Sequence, residues 1–226
     1  MGDNQNSIVT NKKNFQFKTS LRNFLKKIKP KRVLSIACGK ELESSYLKIN
    51  GIEFWGIDKD LSVISNNVKF CDVDKQKFPF PDSFFDAAIC IFGIEHFNNP
   101  KKVFKEVRRV LKNEGKFIFV TTNTNNLIFS LFWLQKIINI RKIWLRLRKS
   151  REKFKVYYKA NNILKIVKLC KQNKFRIKKI IVFGQICGYI STHPNLIKIM
   201  SSFEEKIYKF IYQLRPTIYM LTEVSK

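Results

Sequence analysis

The sequence predicts an α/β protein with a doubly wound parallel sheet. Seven short apolar runs occur along the 226 residues, and each has the length and composition of a buried strand. Segments with apolar residues at helical spacing lie between several of these runs. This alternation favours parallel strands with helices on both faces, because parallel strands are joined by crossovers that are usually helical.

Residues 33–58 predict the first strand–helix–strand unit and are the most informative part of the chain. Val33–Cys38 and Ile52–Ile57 are the two predicted strands. Leu42–Asn50 predicts a helix between them, and Gly51 is its stop signal. A unit of this kind opens the nucleotide-type cofactor folds.

Two residues at the ends of these strands predict a ligand site. Gly39 follows the first strand, where a ligand can approach the backbone closely and a helix N-terminus can face it. Asp58 ends the second strand, and its carboxylate can accept hydrogen bonds from a ribose. The pair therefore predicts a site for a cofactor that contains a nucleoside.

The glycine pattern disfavours a dinucleotide. Three glycines in G-x-G-x-x-G bring a helix close to the pyrophosphate, but the matching positions here are Ala37, Gly39 and Leu42. A cofactor without phosphates needs only an open turn, an acid for the ribose and a pocket for the adenine. S-adenosylmethionine (SAM) fits that description, since it has an adenosine and an amino-acid tail.

The next strands supply further candidate ligands. Val68–Val73 predicts a third strand, and Asp72 at its end is a candidate acceptor for the adenine amino group. Asp74, two residues later, is the rival for that role. The core then continues with a fourth strand, a helix and a fifth strand, at Ala87–Gly93, Pro100–Leu111 and Gly115–Asn123.

Four blocks between about Lys31 and Asn123 have the order and spacing of one enzyme family. They are IACGKE at the glycine turn, GIDKD at the ribose acid, CDVDKQKFPFPDSFFDAAIC at the adenine-side acid, and IEHFNNPKKVFKEVRRVLKNEGKFIFVTTN. With these blocks the chain resembles class I SAM-dependent methyltransferases of the type 11 methyltransferase-domain family. The resemblance implies a Rossmann-like sheet of seven strands, the last one antiparallel, and a helical cap insertion that carries substrate specificity.

The resemblance also implies the chemistry. It implies SAM as cofactor, S-adenosylhomocysteine as product, no metal, and a small-molecule, glycan or lipid-linked methyl acceptor. An RNA- or protein-modifying methyltransferase and a non-catalytic interaction protein with the same fold are the alternatives. The residues that it places around the cofactor are Ser35, Ala37, Cys38, Gly39, Glu41, Asp58, Lys59, Asp72, Val73 and Phe92.

Two of these positions depart from the family pattern. Ser35 stands where the family has an acid, which weakens the indirect hold on the ammonium group of SAM. Glu41 stands where the family has glycine, so its side chain is expected against the methionine end of the cofactor. Its carboxylate there would either pair with the ammonium or repel the cofactor carboxylate.

His96 is the candidate general base. Histidine is the usual base near neutral pH, and His96 follows the fourth strand, near the expected position of the methyl group. The alternative is a structural histidine on a loop, and the same two interpretations apply to Glu95. Methyl transfer depends largely on positioning, and a base is needed only for a poor nucleophile.

The remaining segments frame this core. Residues 1–14 are polar and predict a mobile tail, while residues 15–226 predict one domain that begins with a helix at Phe15–Ile28. Within it, residues 31–123 are the core, about 124–159 a basic helical cap, and 160–226 the C-terminal elements. The last group comprises helices at Ala160–Asn173 and Pro194–Leu214 and strands at Arg176–Phe183 and Thr217–Val224.

The charge predicts an anionic partner. The net charge is +27, and the cap has ten basic residues and one acid from Lys136 to Lys159. Trp133, Trp144 and many Leu and Ile residues share this segment, which favours an anionic membrane surface over nucleic acid, although a solvated cationic face is equally compatible.

The cysteines and the N-terminus predict a compartment. Five cysteines, none in a C-x-x-C pair, favour a reducing environment and argue against zinc. The N-terminus has no apolar core of a signal peptide. We therefore expect a cytoplasmic protein that can lie at the inner face of the membrane.

Overall fold

The computed structural model describes residues 9–12, 15–126, 154–184 and 194–225. Eight strands form its sheet: β1 (Val9–Lys12), β2 (Arg32–Ile36), β3 (Glu53–Asp58), β4 (Val68–Phe70), β5 (Phe85–Ile91), β6 (Leu111–Thr122), β7 (Phe175–Phe183) and β8 (Thr217–Val224). The α-helices of the described residues are α1 (Phe17–Ile28), α2 (Pro100–Val110), α3 (Ile163–Gln172) and α4 (Pro194–Phe210). Most of these elements lie within a few residues of their predicted positions.

The strand order is β1-β7-β8-β6-β5-β2-β3-β4. β8 is antiparallel to both of its neighbours, whereas the other pairs are parallel. The predicted fold class and the antiparallel last strand are therefore confirmed. Because the chain order reverses between β2 and its two neighbours β3 and β5, a crevice opens at the carboxyl ends of these strands.

The predicted number of seven strands is wrong by one. Val9–Lys12, in the segment predicted as a mobile tail, pairs in parallel with Ile180–Phe183 at the edge of the sheet. Open backbone groups on the outer edge of β7 bind this short strand, and Asn11 donates a hydrogen bond to the Tyr208 carbonyl (3.2 Å). A polar segment of four residues gives no periodic signal from which such a strand could be predicted.

The predicted helix at Leu42–Asn50 is also wrong. Two 3₁₀ turns, Glu41–Glu43 and Ser45–Leu47, occupy that position. Ser44 and Ser45 favour turns over helix interiors, because their hydroxyls compete for backbone hydrogen bonds. The Arg22 guanidinium of α1 donates to the carbonyls of Ser45 and Tyr46 (2.9 Å each), which satisfies groups that a helix would have used.

Helices cover both faces of the sheet. On one face α1 buries Leu21 and Leu25 against a cluster that includes Val33 and Ile89. On the other face α2 and α3 bury a second cluster built on Val103, Phe104, Val107, Ile166 and Cys170. Two apolar layers therefore fix the strands from both sides and hold their carboxyl ends in register.

The ends of α1 and α2 follow ordinary capping rules. The Asn99 side chain accepts a hydrogen bond from the Lys102 amide (3.2 Å) and Pro100 follows it, so α2 begins there. Lys29 ends α1 in the left-handed conformation (φ 45°), and its amide donates to the Leu25 carbonyl. These ends place the loops that border the crevice.

Most of the predicted basic cap, residues 127–153, lies outside the described residues, as does Cys187. Its described end, residues 154–159, is irregular and contains a turn, and Phe154 in it borders the crevice. Where the chain is described, no helix has the length and apolar character needed to cross a bilayer.

Candidate cofactor-binding cleft

A cleft of about 180 Å³ lies at the carboxyl ends of β2, β3, β4 and β5. Its lining combines residues from the loops after these strands with one residue from the described end of the predicted cap. The lining residues are Ala37, Gly39, Asp58, Lys59, Cys71, Asp72, Val73, Asp74, Phe92, Gly93, His96, Phe97 and Phe154. Eight of the eleven residues predicted from the sequence are among them.

The turn after β2 is open toward the cleft. Ala37 (φ 50°) and Gly39 (φ 45°) both adopt the left-handed region, which folds the backbone sharply. A Cβ atom at Gly39 would meet nothing within 4 Å, so free space lies beside this backbone. A ligand can therefore approach the turn closely.

A second glycine allows two loops to meet. A Cβ atom at Gly93, after β5, would lie 2.9 Å from the Cβ atom of Ala37 and 2.9 Å from the Cys90 sulfur. A side chain at this position would push the β5 loop away from the β2 loop. The sequence places Gly93 at the end of an apolar run, but it gives no sign of this contact.

Asp58 lies deep in the cleft and is 7% exposed. Its Oδ2 atom accepts a hydrogen bond from the Gly39 amide (2.8 Å), and its Oδ1 atom accepts one from the Asp60 amide (2.8 Å). A carboxylate has about four acceptor positions, so Asp58 can hold these two amides and still bind a pair of hydroxyls. The residue therefore shapes the glycine turn and offers an acceptor to a ligand.

The structure separates the roles of Asp72 and Asp74. The Asp74 carboxylate accepts hydrogen bonds from the amides of Asn98 (3.0 Å) and Asn99 (2.7 Å), which fixes the loop before α2. Asp72 is half-buried, accepts only the Asp74 amide (3.2 Å) among backbone donors, and lies 3.4 Å from the ammonium of the exposed Lys75. Asp72 is thus the acid with capacity left for a ligand.

Apolar side chains form the wall between these polar groups. Val73 and Phe97 are buried, and the exposed part of Phe92 (φ 50°) reaches the cleft while its ring packs edge-on against Phe17 (5.9 Å between centroids). Burial, together with the neighbouring Asp72 carboxylate, raises the pKa of the Cys71 thiol to about 11. The thiol is therefore neutral near pH 7 and contributes to the apolar wall.

His96 faces the cleft from the 3₁₀ turn after β5. Its Nδ1 atom lies 3.0 Å from the Lys155 carbonyl oxygen. Since a carbonyl only accepts hydrogen bonds, Nδ1 has the hydrogen, and Nε2 of the neutral ring has the free lone pair. This tautomer can accept a proton from a group in the cleft.

Glu95, next to it, is buried and has a structural role. Its carboxylate accepts hydrogen bonds from the hydroxyls of Thr121 (3.0 Å) and Thr122 (3.4 Å) at the end of β6. Its backbone carbonyl accepts the amides of Tyr157 (2.8 Å) and Tyr158 (3.2 Å). Burial raises the pKa of Glu95 above its ordinary value, although the two hydroxyls partly offset this effect.

The described end of the predicted cap, residues 154–159, borders one side of the cleft. The Lys59 ammonium lies 4.6 Å from the centroid of the Phe154 ring, which also packs edge-on against His96 (6.4 Å). The Lys159 ammonium donates to the carbonyl of Asn98 (2.9 Å). Phe154 was not predicted as a site residue, because its distance in sequence from the motifs gives no signal.

Three predicted residues do not line the cleft. Ser35 is buried within β2, between the backbones of β3 and β5. Cys38 is buried beneath the turn, where burial and the nearby Asp58 carboxylate raise the pKa of its thiol to about 12. The Glu41 carboxylate accepts a hydrogen bond from the Tyr46 hydroxyl instead of facing the cleft.

A groove beside α1 lacks the acids and the histidine of the cleft. The groove, of about 520 Å³, lies at the opposite end of the parallel strands, and its ionisable residues are all basic: Arg22, Lys26, Lys29 and Lys48. No group of three or more His, Cys, Asp or Glu side chains suited to a metal ion occurs in the described ranges. Of the cleft, the groove beside α1 and a surface pocket on α4, only the cleft combines several acids, a histidine and an open backbone turn.

Comparison with protein families matches residues 34–119 to the model described as "Methyltransferase domain". The matched range contains most of β2, all of β3 to β5 and α2, and most of β6, and therefore every lining residue of the cleft except Phe154. The resemblance to type 11 methyltransferases is confirmed over residues 34–119.

Two relatives with named methyltransferase activities match shorter stretches of the chain. A sterol 4-C-methyltransferase of Caenorhabditis elegans is 49% identical over 55 residues, which are 24% of this chain and 16% of the relative. A demethylmenaquinone methyltransferase of Thermotoga maritima is 32% identical over 101 residues, 41% of this chain and 44% of the relative. The matches thus span less than half the length of these two proteins.

A solved structure extends the likeness to nearly the whole fold. A SAM-dependent methyltransferase from Archaeoglobus fulgidus superimposes with a TM-score of 0.59 at 18% identity, covering 92% of this chain and 92% of that one. At that level of identity the likeness establishes the shared fold.

Proposed function

We propose that this chain, whose residues 34–119 match a methyltransferase domain, is a SAM-dependent methyltransferase with a small-molecule, glycan or lipid-linked acceptor. One observation carries the proposal. The carboxylates of Asp58 and Asp72, after the neighbouring strands β3 and β4, face the same cleft as the open turn at Gly39. This arrangement supports roles for Asp58 as the ribose acceptor and for Asp72 as the adenine acceptor, beside a backbone that a ligand can approach.

The residues of the cleft fit SAM. Asp58 has acceptor capacity for the two ribose hydroxyls, and Asp72 for the adenine amino group. Val73, Phe92 and Phe97 offer an apolar wall to the adenine ring. SAM has no phosphate, so the absence of an α-helix directly after the turn removes no group that this cofactor needs.

When bound, SAM supplies a methyl group on a positively charged sulfonium. Asp58 and the turn at Gly39 would fix the cofactor, which lowers the entropic cost of bringing the methyl group to the acceptor. His96 would take a proton from the acceptor at Nε2, because its Nδ1 hydrogen is directed to the Lys155 carbonyl. The Phe154 ring would exclude water from that side of the cleft.

The second part of the proposal concerns the chemical class of the methyl acceptor. The described end of the predicted cap contacts Lys59, His96 and the backbone of Glu95, on the side of the cleft where a methyl group would be transferred. These contacts support selection of the acceptor by the cap. The relatives named for sterol and demethylmenaquinone methylation act on apolar acceptors, which supports a lipid-linked or similarly apolar substrate.

Calorimetric titration with SAM tests the proposal. If Asp58 holds the ribose, Asp58→Ala should weaken binding by about 1.5–3 kcal/mol, or roughly 10- to 150-fold, the range for hydrogen bonds to a charged group. Asp58→Ala also removes the acceptor for the Gly39 amide, and this loss should weaken SAM binding further.

Glu114→Gln is the matched control, because this exposed acid lies in the turn region before the main run of β6, far from the cleft. Its affinity for SAM should equal that of the natural protein. No binding by the natural protein, or equal affinities for all three proteins, would overturn the assignment.

A further inference from the structure

In helix α4 the two acids make contacts within the protein, whereas several large apolar side chains are exposed to solvent. Its two carboxylates face the protein: Glu204 is buried, and Glu205 accepts two hydrogen bonds from the buried Arg215 guanidinium (3.0 and 2.9 Å). The Arg215 side chain also donates to the Gly184 carbonyl (2.9 Å) and lies over the Tyr208 ring (4.6 Å). Glu204 is therefore kept inside the protein, and the charge of Glu205 is paired with Arg215, although Glu205 also lines a surface pocket with Lys198, Lys206 and Lys209.

The outer face of α4 is apolar. Ile199 is 69% exposed, Phe203 67% and Phe210 86%, and Ile211 just after the helix is 47% exposed. Ile199, Phe203 and Phe210 are spaced by four and seven residues, so they form one stripe. Large aromatic side chains with this exposure, next to one another, mark a surface that contacts something other than water.

Lysines flank the stripe. Lys198, Lys206 and Lys209 are exposed on the same side of the helix. At 100° per residue they share an arc of about 140° with Ile199, Phe203 and Phe210. Glu205 borders this arc and shares a surface pocket with the three lysines, but its carboxylate is paired with Arg215. Among the described residues, none of the three lysines forms an ion pair.

We propose that this surface, the α4 outer face (Lys198, Ile199, Phe203, Lys206, Lys209 and Phe210), docks onto an anionic lipid surface. Aromatic and aliphatic side chains beside lysines are the composition of helices that lie in the membrane interface. The apolar stripe enters the acyl boundary, and the lysine ammonium groups reach the phosphates of the lipid headgroups. Charge complementarity selects an anionic surface over a neutral one.

Helix α4 is connected to the same edge of the sheet as the cleft, so its docking bears on the proposed methyl transfer. The helix joins the end of β7 to the start of β8, and Thr217 at that start is paired with both Phe183 and Thr122. These residues lie at the same edge of the sheet as the cleft. Docking through α4 thus brings the cleft edge toward the lipid, where an apolar or lipid-linked acceptor would be found.

Sedimentation with vesicles, in the absence of SAM, tests docking separately from the proposed activity. The natural protein should sediment with phosphatidylglycerol vesicles and much less with phosphatidylcholine vesicles. Phe203→Ser with Phe210→Ser should lower partitioning by at least about tenfold, since apolar burial contributes to interfacial binding. Replacement of Lys198, Lys206 and Lys209 by Gln should lower partitioning onto the vesicles by at least the same factor, since each lysine near the membrane surface contributes to binding.

Matched controls account for the high overall charge. Leu61→Ser with Leu164→Ser removes two side chains that are exposed to a similar degree, and Gln at Lys26, Lys27 and Lys48 removes three exposed charges elsewhere. These variants should retain most of the binding. The proposal would be overturned if the control variants lost as much vesicle binding as the α4 variants. It would also be overturned by equal binding to neutral vesicles or by no binding to either kind. So would a change in oligomeric state by Phe203→Ser with Phe210→Ser that leaves vesicle binding intact, since it indicates a protein interface.

Discussion

At the scale of single residues, hydrogen-bond capacity decides which acids are available to a ligand. Asp58 and Asp74 each accept two backbone amides, but Asp58 lies deep in the cleft, whereas Asp74 fixes the loop before α2. Asp72 accepts only one backbone amide, and its other contact is with the ammonium of the exposed Lys75. Replacing Asp58 should therefore lower the stability of the turn as well as affinity, because the Gly39 and Asp60 amides lose their acceptor.

Glu95 leads to a prediction on pH at the same scale. Its pKa is raised by burial in the folded protein, so the protonated form favours folding. This contribution is complete below about pH 4.3, the ordinary value in an unfolded chain, and is lost as the pH rises through the higher folded pKa. Glu95→Gln keeps a neutral side chain that can bond Thr121 and Thr122.

We therefore expect Glu95→Gln to flatten the dependence of the unfolding free energy on pH above about pH 4.3, and to be at least as stable as the natural protein at pH 7. Urea unfolding across this range measures the effect. Glu114→Gln, at an exposed position, should give a profile parallel to that of the natural protein. A parallel profile for Glu95→Gln as well would contradict the inferred shift.

At the scale of elements, the segment after the glycine turn differs most from expectation. Its turns are held by the Tyr46 hydroxyl on Glu41, by the Arg22 guanidinium, and by the Lys18 ammonium over the Tyr46 ring (5.2 Å). Burial, together with the Glu41 carboxylate, raises the pKa of the Tyr46 hydroxyl, so it stays protonated and donates. Contacts with α1 therefore replace the internal hydrogen bonds of a helix.

A double-mutant cycle tests this account of Glu41. Glu41→Gln and Tyr46→Phe should each lower the unfolding free energy, and the double variant should lose less than their sum, with a coupling of about 0.5–3 kcal/mol. Their affinities for SAM should change little, because Glu41 does not line the cleft. Additive stability losses, or a large loss of affinity from Glu41→Gly without a loss of stability, would instead place this carboxylate on the cofactor.

At the scale of the whole molecule, the sequence predicted the parallel core because its strands are continuous apolar runs. Val33–Cys38 and Ala87–Gly93 contain β2 and β5 nearly in full, and Asp58 and Gly39 follow their strands as expected. Strand β1 and the contact of Phe154 with the cleft could not be predicted, because both depend on pairing between segments far apart in sequence. The 3₁₀ turns were missed because a side chain of α1 fixes them.

The crystal structure of the protein with S-adenosylhomocysteine tests the central claim most directly. The account predicts both ribose hydroxyls within hydrogen-bond distance of the Asp58 carboxylate, the adenine amino group on Asp72, and the sulfur on the side of the cleft where His96 lies. A ligand held at another surface, or a ribose bound without Asp58, would contradict the account.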